Sequence, residues 1–505
     1  MIEQEKIDNI WKNDLLHRRK EAVFLQRYLD QAYSAPAKAL NRSSFVVNLK
    51  GDWGSGKTYF LRRFAQQLRA SRKIVVEIDA WNADPNIDPL VTIVSEIKSQ
   101  IDASFPKQSK VRAALTGLQN AGGAASLSFL STALKHNVRR VVGGALDQGL
   151  DAIEDAPSFD SLSDESIESF SESIQLGTES AVDEVFEGLQ AGSYFKRRML
   201  FATLQKAGVQ RFCQSVKSLT TNIEKSSQKY DLPVYILIDE LDRCRPTFAI
   251  ELLERVNHLF DASGVVFVIA TDSDELAHSV KAVYGDSFGA SGYLNRFFSY
   301  TYYLATPDKS DYVDMLLEDL SIDASKFSVG ARNDPLELMK EMLLSTIDTP
   351  RALRQVLFLL KTFSDTWERR AKIDAVYATA CALIVFSKPR SEHELYLTNK
   401  FQLSDLGQKL APISWSYHNY REGKRTDARI LDYIDQISHW SSLTIREAIR
   451  ACDQQGSVFS SHFRDNLLAD EPPTGQNKYR EGLPILRRYM ELMRTASHLH
   501  EDAAT

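Results

Sequence analysis

Gly51-Asp52-Trp53-Gly54-Ser55-Gly56-Lys57-Thr58 fits the pattern G-x-x-x-x-G-K-[ST]. In that pattern backbone N–H groups cradle phosphates and the lysine reaches the β/γ-phosphates. The surroundings agree. Phe45-Val46-Val47-Asn48-Leu49, just ahead, is a short apolar and β-branched run suited to a buried strand. Thr58 to Leu68 has helical spacing, with Phe60, Leu61, Phe64, Ala65 and Leu68 on one face. Strand, glycine loop and helix N-terminus together make an anion site, because first-turn N–H groups lack intrahelical partners and the helix dipole favours negative charge. The expected phosphate-binding set is Gly51, Asp52, Trp53, Gly54, Ser55, Gly56, Lys57, Thr58 and Tyr59. The alternative, a glycine-rich turn that binds nothing, is weakened by the strand and helix that flank it.

The other half of such a site stands far along the chain. Pro233-Val234-Tyr235-Ile236-Leu237-Ile238-Asp239-Glu240 reads as a buried strand delivering two carboxylates to its C-terminal edge, where open α/β sheets bind ligands. Thr58 and Asp239 are the expected holders of Mg²⁺, and Glu240 is placed to polarise an attacking water. Two more strands are Ile74–Asp79 and Gly264–Ala270. The latter ends at Thr271-Asp272, and Thr271 at that tip can hydrogen-bond an attacking water or a terminal phosphate. After Ile74–Asp79 comes Trp81, expected as a core anchor rather than a contact to nucleotide or a neighbouring subunit. Pro89 then opens a helix to about Ile101, with Leu90, Ile93, Val94 and Ile97 inward. A fifth strand is expected near Tyr300–Leu304. Residues 1–40 read as helical, with Val23, Phe24, Tyr28 and Leu29 at helix spacing, either closing over a nucleotide base or packing on the sheet.

The totals exclude several classes. With 43% hydrophobic and 25% charged residues the chain is an ordinary globular composition of two to four domains. The first thirty residues are charged throughout, so no signal peptide is expected. Cys213, Cys244, Cys381 and Cys452 lie far apart and form no C-x-x-C pair. A reducing cytoplasm is therefore the expected setting, with neither zinc site nor disulfide framework. The net charge of −6 is uneven. Residues 141–195 hold thirteen Asp or Glu and no Lys or Arg, which leaves 61 basic against 54 acidic residues elsewhere. A mildly basic body of that kind is weak support for nucleic acid.

Residues 104–195 interrupt the α/β rhythm. Ala113 to Leu134 carries no charge over twenty-two residues, enough to cross a bilayer. Its glutamine, asparagine, serines, threonines and glycines dilute the leucines, so a Gly/Ala-rich packing helix is expected over membrane contact through 113–150. Beyond it, Ile167, Phe170 and Ile174, then Val182, Val185, Phe186 and Leu189, mark amphipathic helices with carboxylates outside. Those acidic faces are either solvated or a docking surface for a basic partner.

The chain resembles the KAP family of P-loop NTPases, a branch of the additional-strand ATPases related to AAA+ and STAND proteins. The resemblance lies in the loop 51–58, Ile78-Asp79-Ala80-Trp81, the stretch Asp239 to Pro246, the strand tip Phe267–Asp272, Tyr293–Phe298 and Thr349-Pro350-Arg351. Together these span roughly residues 14–365 apart from the insert. The family more often has Asp-Asp where Asp239-Glu240 stands. It often carries transmembrane helices where this insert lies. The resemblance implies ATP and Mg²⁺ as ligands. It implies Mg-dependent ATP hydrolysis coupled to conformational change or assembly, with bacterial anti-phage defence among the roles of relatives. The alternative is a nucleotide-gated scaffold that recruits an effector with little turnover, or a membrane-associated member.

A guanidinium can stabilise the charge that develops in phosphoryl transfer, in cis or from a neighbour. Arg351, in a Pro-Arg opening a helix, resembles the sensor arginine of AAA+ lids. Arg296 and Arg243 are candidate fingers across a subunit boundary, and each of the three is alternatively a salt-bridge partner. Such engines work as homo-oligomers or with a protein effector, so either partner is expected. The fold class is α/β: a parallel-sheet P-loop NTPase core, a helical insert between Walker A and Walker B, and an all-helical C-terminal lid and domain. The expected divisions are 1–103 and 196–305 for the core, 104–195 for the insert, 306–370 for the lid and 371–505 for the helical end. Within that end, Tyr417 to Arg425 mixes aromatics with bases and is expected as a solvated loop, a nucleic-acid surface being the alternative.

Overall fold

The computed structural model describes residues 2–34, 45–82, 88–121, 194–226, 229–259, 264–330, 334–388, 405–419, 424–455 and 457–501. The acidic helices expected from Ile167 to Leu189, and the uncharged run beyond residue 121, lie outside them. The chain forms two compact units. One runs to Ala305 without Leu15–His17 and Trp53–Gly56; the other joins those two segments to the residues from Thr306 onward.

In the first unit the order is α1 (Ile2–Ile10), α2 (Arg19–Ser34), β1 (Phe45–Lys50), α3 (Lys57–Ala70), β2 (Lys73–Asp79), α4 (Pro89–Ser104) and α5 (109–121). After the insert come α6 (Tyr194–Ser226), β3 (Asp231–Asp239), α7 (Pro246–Leu259), β4 (Val265–Thr271), α8 (Ser273–Tyr284), α9 (Ala290–Leu294) and β5 (Tyr300–Tyr303). The five strands form one parallel sheet in the order β2-β3-β4-β1-β5. β4 thus stands between the glycine-loop strand β1 and the carboxylate strand β3. Helices cover both faces, which is why the central strands are apolar without alternation.

Successive side chains of a strand point to opposite faces. Val46, Ile74, Val76, Ile78, Ile236, Ile238, Phe267 and Ile269 pack with Ile93, Ile97, Leu252 and Leu276 of α4, α7 and α8. Val47, Leu49, Val75, Tyr235, Leu237, Val266 and Val268 face the other way, onto Leu25 and Leu29 of α2 and Phe60 and Phe64 of α3. Val111, Leu115 and Leu118 of α5 join the first of these cores with Phe212 and Val216 of α6, so the sheet body extends past residue 103 on the way into the insert.

Two expectations from spacing are corrected. The buried seam of α2 is Ala22, Leu25 and Leu29, which leaves Phe24 56% exposed with its ring 6.1 Å from that of Tyr302. Trp81 is no core anchor: it is 55% exposed. Ala80 donates its N–H to the Asp239 carbonyl at 3.0 Å, carrying the strand pairing one residue past β2. The small Ala80 is therefore buried and the next side chain turns outward.

The second unit is built from α10 (Ser310–Asp319), α11 (Pro335–Thr346), α12 (Pro350–Asp365), α13 (Ala375–Ser387), α14 (Asp405–Leu410), α15 (Ile430–Ser441), α16 (Ile445–Gln455), α17 (Val458–Ala469), α18 (Gln476–Arg480) and α19 (Tyr489–Glu501). Asp334-Pro335 and Thr349-Pro350 start two of these helices by side-chain caps ahead of a proline. Residues 375–384 of α13 are buried without exception, so this helix is apolar on all sides because neighbours surround it. The end is not purely helical. Phe327–Ser328 pairs with Ile373–Asp374, and Ser414–Asn419 forms an antiparallel hairpin with Lys424–Arg429. The described parts of the aromatic and basic stretch, 417–419 and 424–425, thus lie in paired strands, where a solvated loop was expected; residues 420–423 lie outside the described residues.

Candidate active site

The site is assembled at the C-terminal edge of the sheet, where parallel register brings strand ends together. Asp79 pairs with Asp239, and Lys50 with Thr271. Gly51 leaves β1 with its N–H on the Thr271 carbonyl at 3.3 Å. The loop then turns through Gly54 and Gly56, at φ +81° and +92°, a backbone region open to glycine. Helix α3 begins at Lys57. The Lys57 ammonium donates to the Gly51 and Asp52 carbonyls at 2.6 and 3.1 Å, so the cation is held inside the curve of its own loop. Tyr59, two residues on, points its hydroxyl to the Asn13 carbonyl at 3.2 Å and serves the N-terminal turn.

The two sequence motifs meet. Thr58 and Asp239, 181 residues apart in sequence, are hydrogen-bonded through their side chains. Asp239 also accepts the Glu240 N–H at 2.9 Å. Burial raises the Asp239 carboxyl above the ordinary carboxylate range; the Thr58 and Glu240 hydrogen bonds oppose this, and Asp242 and Asp79 add to it. Glu240 sits in the left-handed backbone region at φ 60°, turning its side chain away from the strand direction. Its carboxyl is also raised, first by burial; Arg243 opposes the shift, while Asp79, Asp239 and Asp242 reinforce it. The Glu240 carboxylate pairs with Arg243 at 3.0 Å.

This donor set suits a hard divalent cation. A hydroxyl and a carboxylate are joined at one point, and Asp79 and Asp242 raise the Asp239 and Glu240 carboxyls in a way that an added positive charge would relieve. Among the described residues no group of three or more His, Cys, Asp or Glu could hold a metal alone.

The other expected residues fall as follows. Thr271 is fully buried; its hydroxyl donates to Asn48 Oδ1 at 2.8 Å and lies 3.0 Å from Ser273 Oγ. Asn48 in turn donates to Ser273 Oγ at 2.9 Å. Asn48 escaped attention, although a polar residue in the middle of a buried strand must find partners and so announces a network. Asp79 also escaped as a site residue; two neighbouring strands that both end in Asp were its signal. Arg296 is exposed just past α9. Arg351 is exposed at the second position of α12, its guanidinium carbon 3.9 Å from the centroid of the Trp53 ring. Trp53 and Arg351 both belong to the second unit, as do Gly54, Ser55 and Gly56.

No helix among the described residues is long and apolar enough to cross a membrane. No curated protein matches the chain. A family model, the KAP family P-loop domain, matches residues 29–366, more than half of the chain. The match takes in the glycine loop, the Asp239-Glu240 strand and Arg351. On these grounds the chain belongs to the KAP family of P-loop NTPases, proteins that bind nucleotide.

Proposed function

We propose that the chain hydrolyses ATP with Mg²⁺. The observation that carries this reading is the Thr58–Asp239 hydrogen bond, which brings the phosphate loop and the carboxylate strand to one point. Lys57 and the loop N–H groups bind the phosphates. Thr58 and Asp239 hold the cation, which when bound offsets charge on the phosphate oxygens. Glu240 accepts the proton of the attacking water; burial and neighbouring carboxylates raise its basicity toward what that task needs. Turnover drives a conformational change or assembly with further copies of the chain or with an effector. The family resemblance supports a place in bacterial anti-phage defence.

Glu240→Gln keeps the size and hydrogen bonding of the side chain and removes its basicity. We expect ATP binding retained and phosphate release reduced by about 10²- to 10⁴-fold, the usual range for a lost general base. Unchanged turnover would remove Glu240 from its role. The second reading, nucleotide-gated recruitment with little turnover, is favoured by one observation: Arg243 already occupies the Glu240 carboxylate. Single-turnover phosphate release separates the two, since a gated scaffold retains ATP unhydrolysed.

A further inference from the structure

We propose that Trp53 is a positioning residue, whose indole face holds the Arg351 guanidinium beside the phosphate-cradling backbone of Gly54–Gly56. The inference rests on the ATPase reading above. The loop pattern demands no side chain at Trp53, and burial does not account for one, since the residue is 53% exposed. Its ring nonetheless lies 3.9 Å from the Arg351 guanidinium carbon. That is a close cation–π stack, for which indole is the best of the aromatic faces.

The approach is built into the backbone. A Cβ on Gly54 would stand 2.9 Å from Arg351 Cβ and 3.5 Å from Thr349 Oγ1, so the glycine admits the start of α12. The segment leading into that helix is pinned. Buried Lys309 donates to the Ile347 carbonyl at 2.7 Å. Lys409 reaches the Thr346 carbonyl at 3.2 Å and the Asp348 carboxylate at 2.9 Å. The Thr349 hydroxyl accepts the Ala352 N–H at 3.3 Å, capping the helix. These contacts place the Arg351 backbone. A long side chain with four rotatable bonds still needs its planar end fixed, and the indole supplies the plane. An arginine suits this where a lysine does not, because the delocalised guanidinium stacks flat and is weakly hydrated. Held so, it stays next to loop amides that face developing negative charge. Trp53 itself touches no reacting atom.

The test is made on the full chain with Trp53→Ala, Trp53→Phe, Arg351→Ala and the Trp53→Ala/Arg351→Ala double variant, each read by steady-state phosphate release and by tryptophan emission. Trp53→Ala should lower kcat about tenfold, or about 1.4 kcal/mol, with KM within about twofold. Trp53→Phe should restore most of that loss. The double variant should be no slower than Arg351→Ala alone, as expected of residues acting through one contact. The Trp53 emission, taken as wild type minus Trp53→Phe, should shift in Arg351→Ala with no nucleotide added. An unshifted emission, additive losses, or a raised KM at unchanged kcat would each overturn the inference. A wild-type chain that releases no phosphate from any nucleoside triphosphate would instead overturn the ATPase reading and the catalytic part of this one, leaving the emission arm to judge the stack.

Discussion

At Asp239 and Glu240 one carboxylate is bound to Thr58 and the next to Arg243, yet both remain harder to ionise than free side chains because burial and two more aspartates outweigh those partners. The proposed mechanism uses both in the charged form. Activity should therefore fall with decreasing pH at a value above the roughly 4.3 of an unperturbed glutamate. Asp79→Asn, which removes one negative neighbour, should move that acid limb downward; a pH profile of kcat/KM that is unmoved would count against the coupling. The stability sign is opposite. A carboxyl whose folded pKa is raised favours the fold while protonated, and that contribution is lost as pH rises through the folded pKa. At neutral pH this cluster opposes folding, a load that a bound cation offsets. The residue types were legible in the sequence. The salt-bridge reading of Arg243 was open there too, and its partner is Glu240; the αL turn of Glu240 and the outward Trp81 were not legible, because each depends on where a strand stops rather than on local pattern.

Elements were more legible than their ends. The spacing of Phe60, Leu61, Phe64, Ala65 and Leu68 gave the buried face of α3, and Pro89 marked the start of α4, since both rest on short-range rules. The hairpin 414–429 was missed because its pairing is between strands, and its polar composition resembles a loop. The polar centre of the helical unit was equally hidden, since it joins five elements. Asp374 caps α13 by accepting the Tyr377 N–H at 2.8 Å, and its Oδ2 accepts the Tyr433 hydroxyl of α15. Its own N–H donates to the Tyr489 hydroxyl of α19 at 3.1 Å, and His462 of α17 lies 3.6 Å from Oδ2. Asp374→Ala removes a cap and a buried acceptor together and should cost about 3 kcal/mol of stability. Asp374→Asn, which keeps one acceptor oxygen for the Tyr377 N–H and can donate its amide to the Tyr433 hydroxyl oxygen, should cost less. Denaturant unfolding of the full chain measures both, and equal losses would deny the acceptor its role.

For the whole molecule, ligand binding offers the broadest check, because anything that binds only the folded chain stabilises it by mass action. Mg–ATP at about 100 times its dissociation constant should add about 2.7 kcal/mol. The thermal midpoint should rise, EDTA should abolish most of the rise, and Lys57→Ala should show none. A midpoint that ignores Mg–ATP would exclude the phosphate site. The family and the α/β class were readable from two motifs and their order, since strand, loop and carboxylate tip are fixed by short-range rules. The position of β4 between β1 and β3 was not, since strand order is a long-range choice. One consequence follows from β2 and β3 lying side by side. The chain departs at Asp79 and comes back at Asp231, one strand away, with α5 and α6 seated on the sheet at either side of the excursion. Closing a loop costs free energy that grows only with the logarithm of its length. The sheet is thus a socket: an insert of almost any length fits between β2 and β3 while the two strands keep their register.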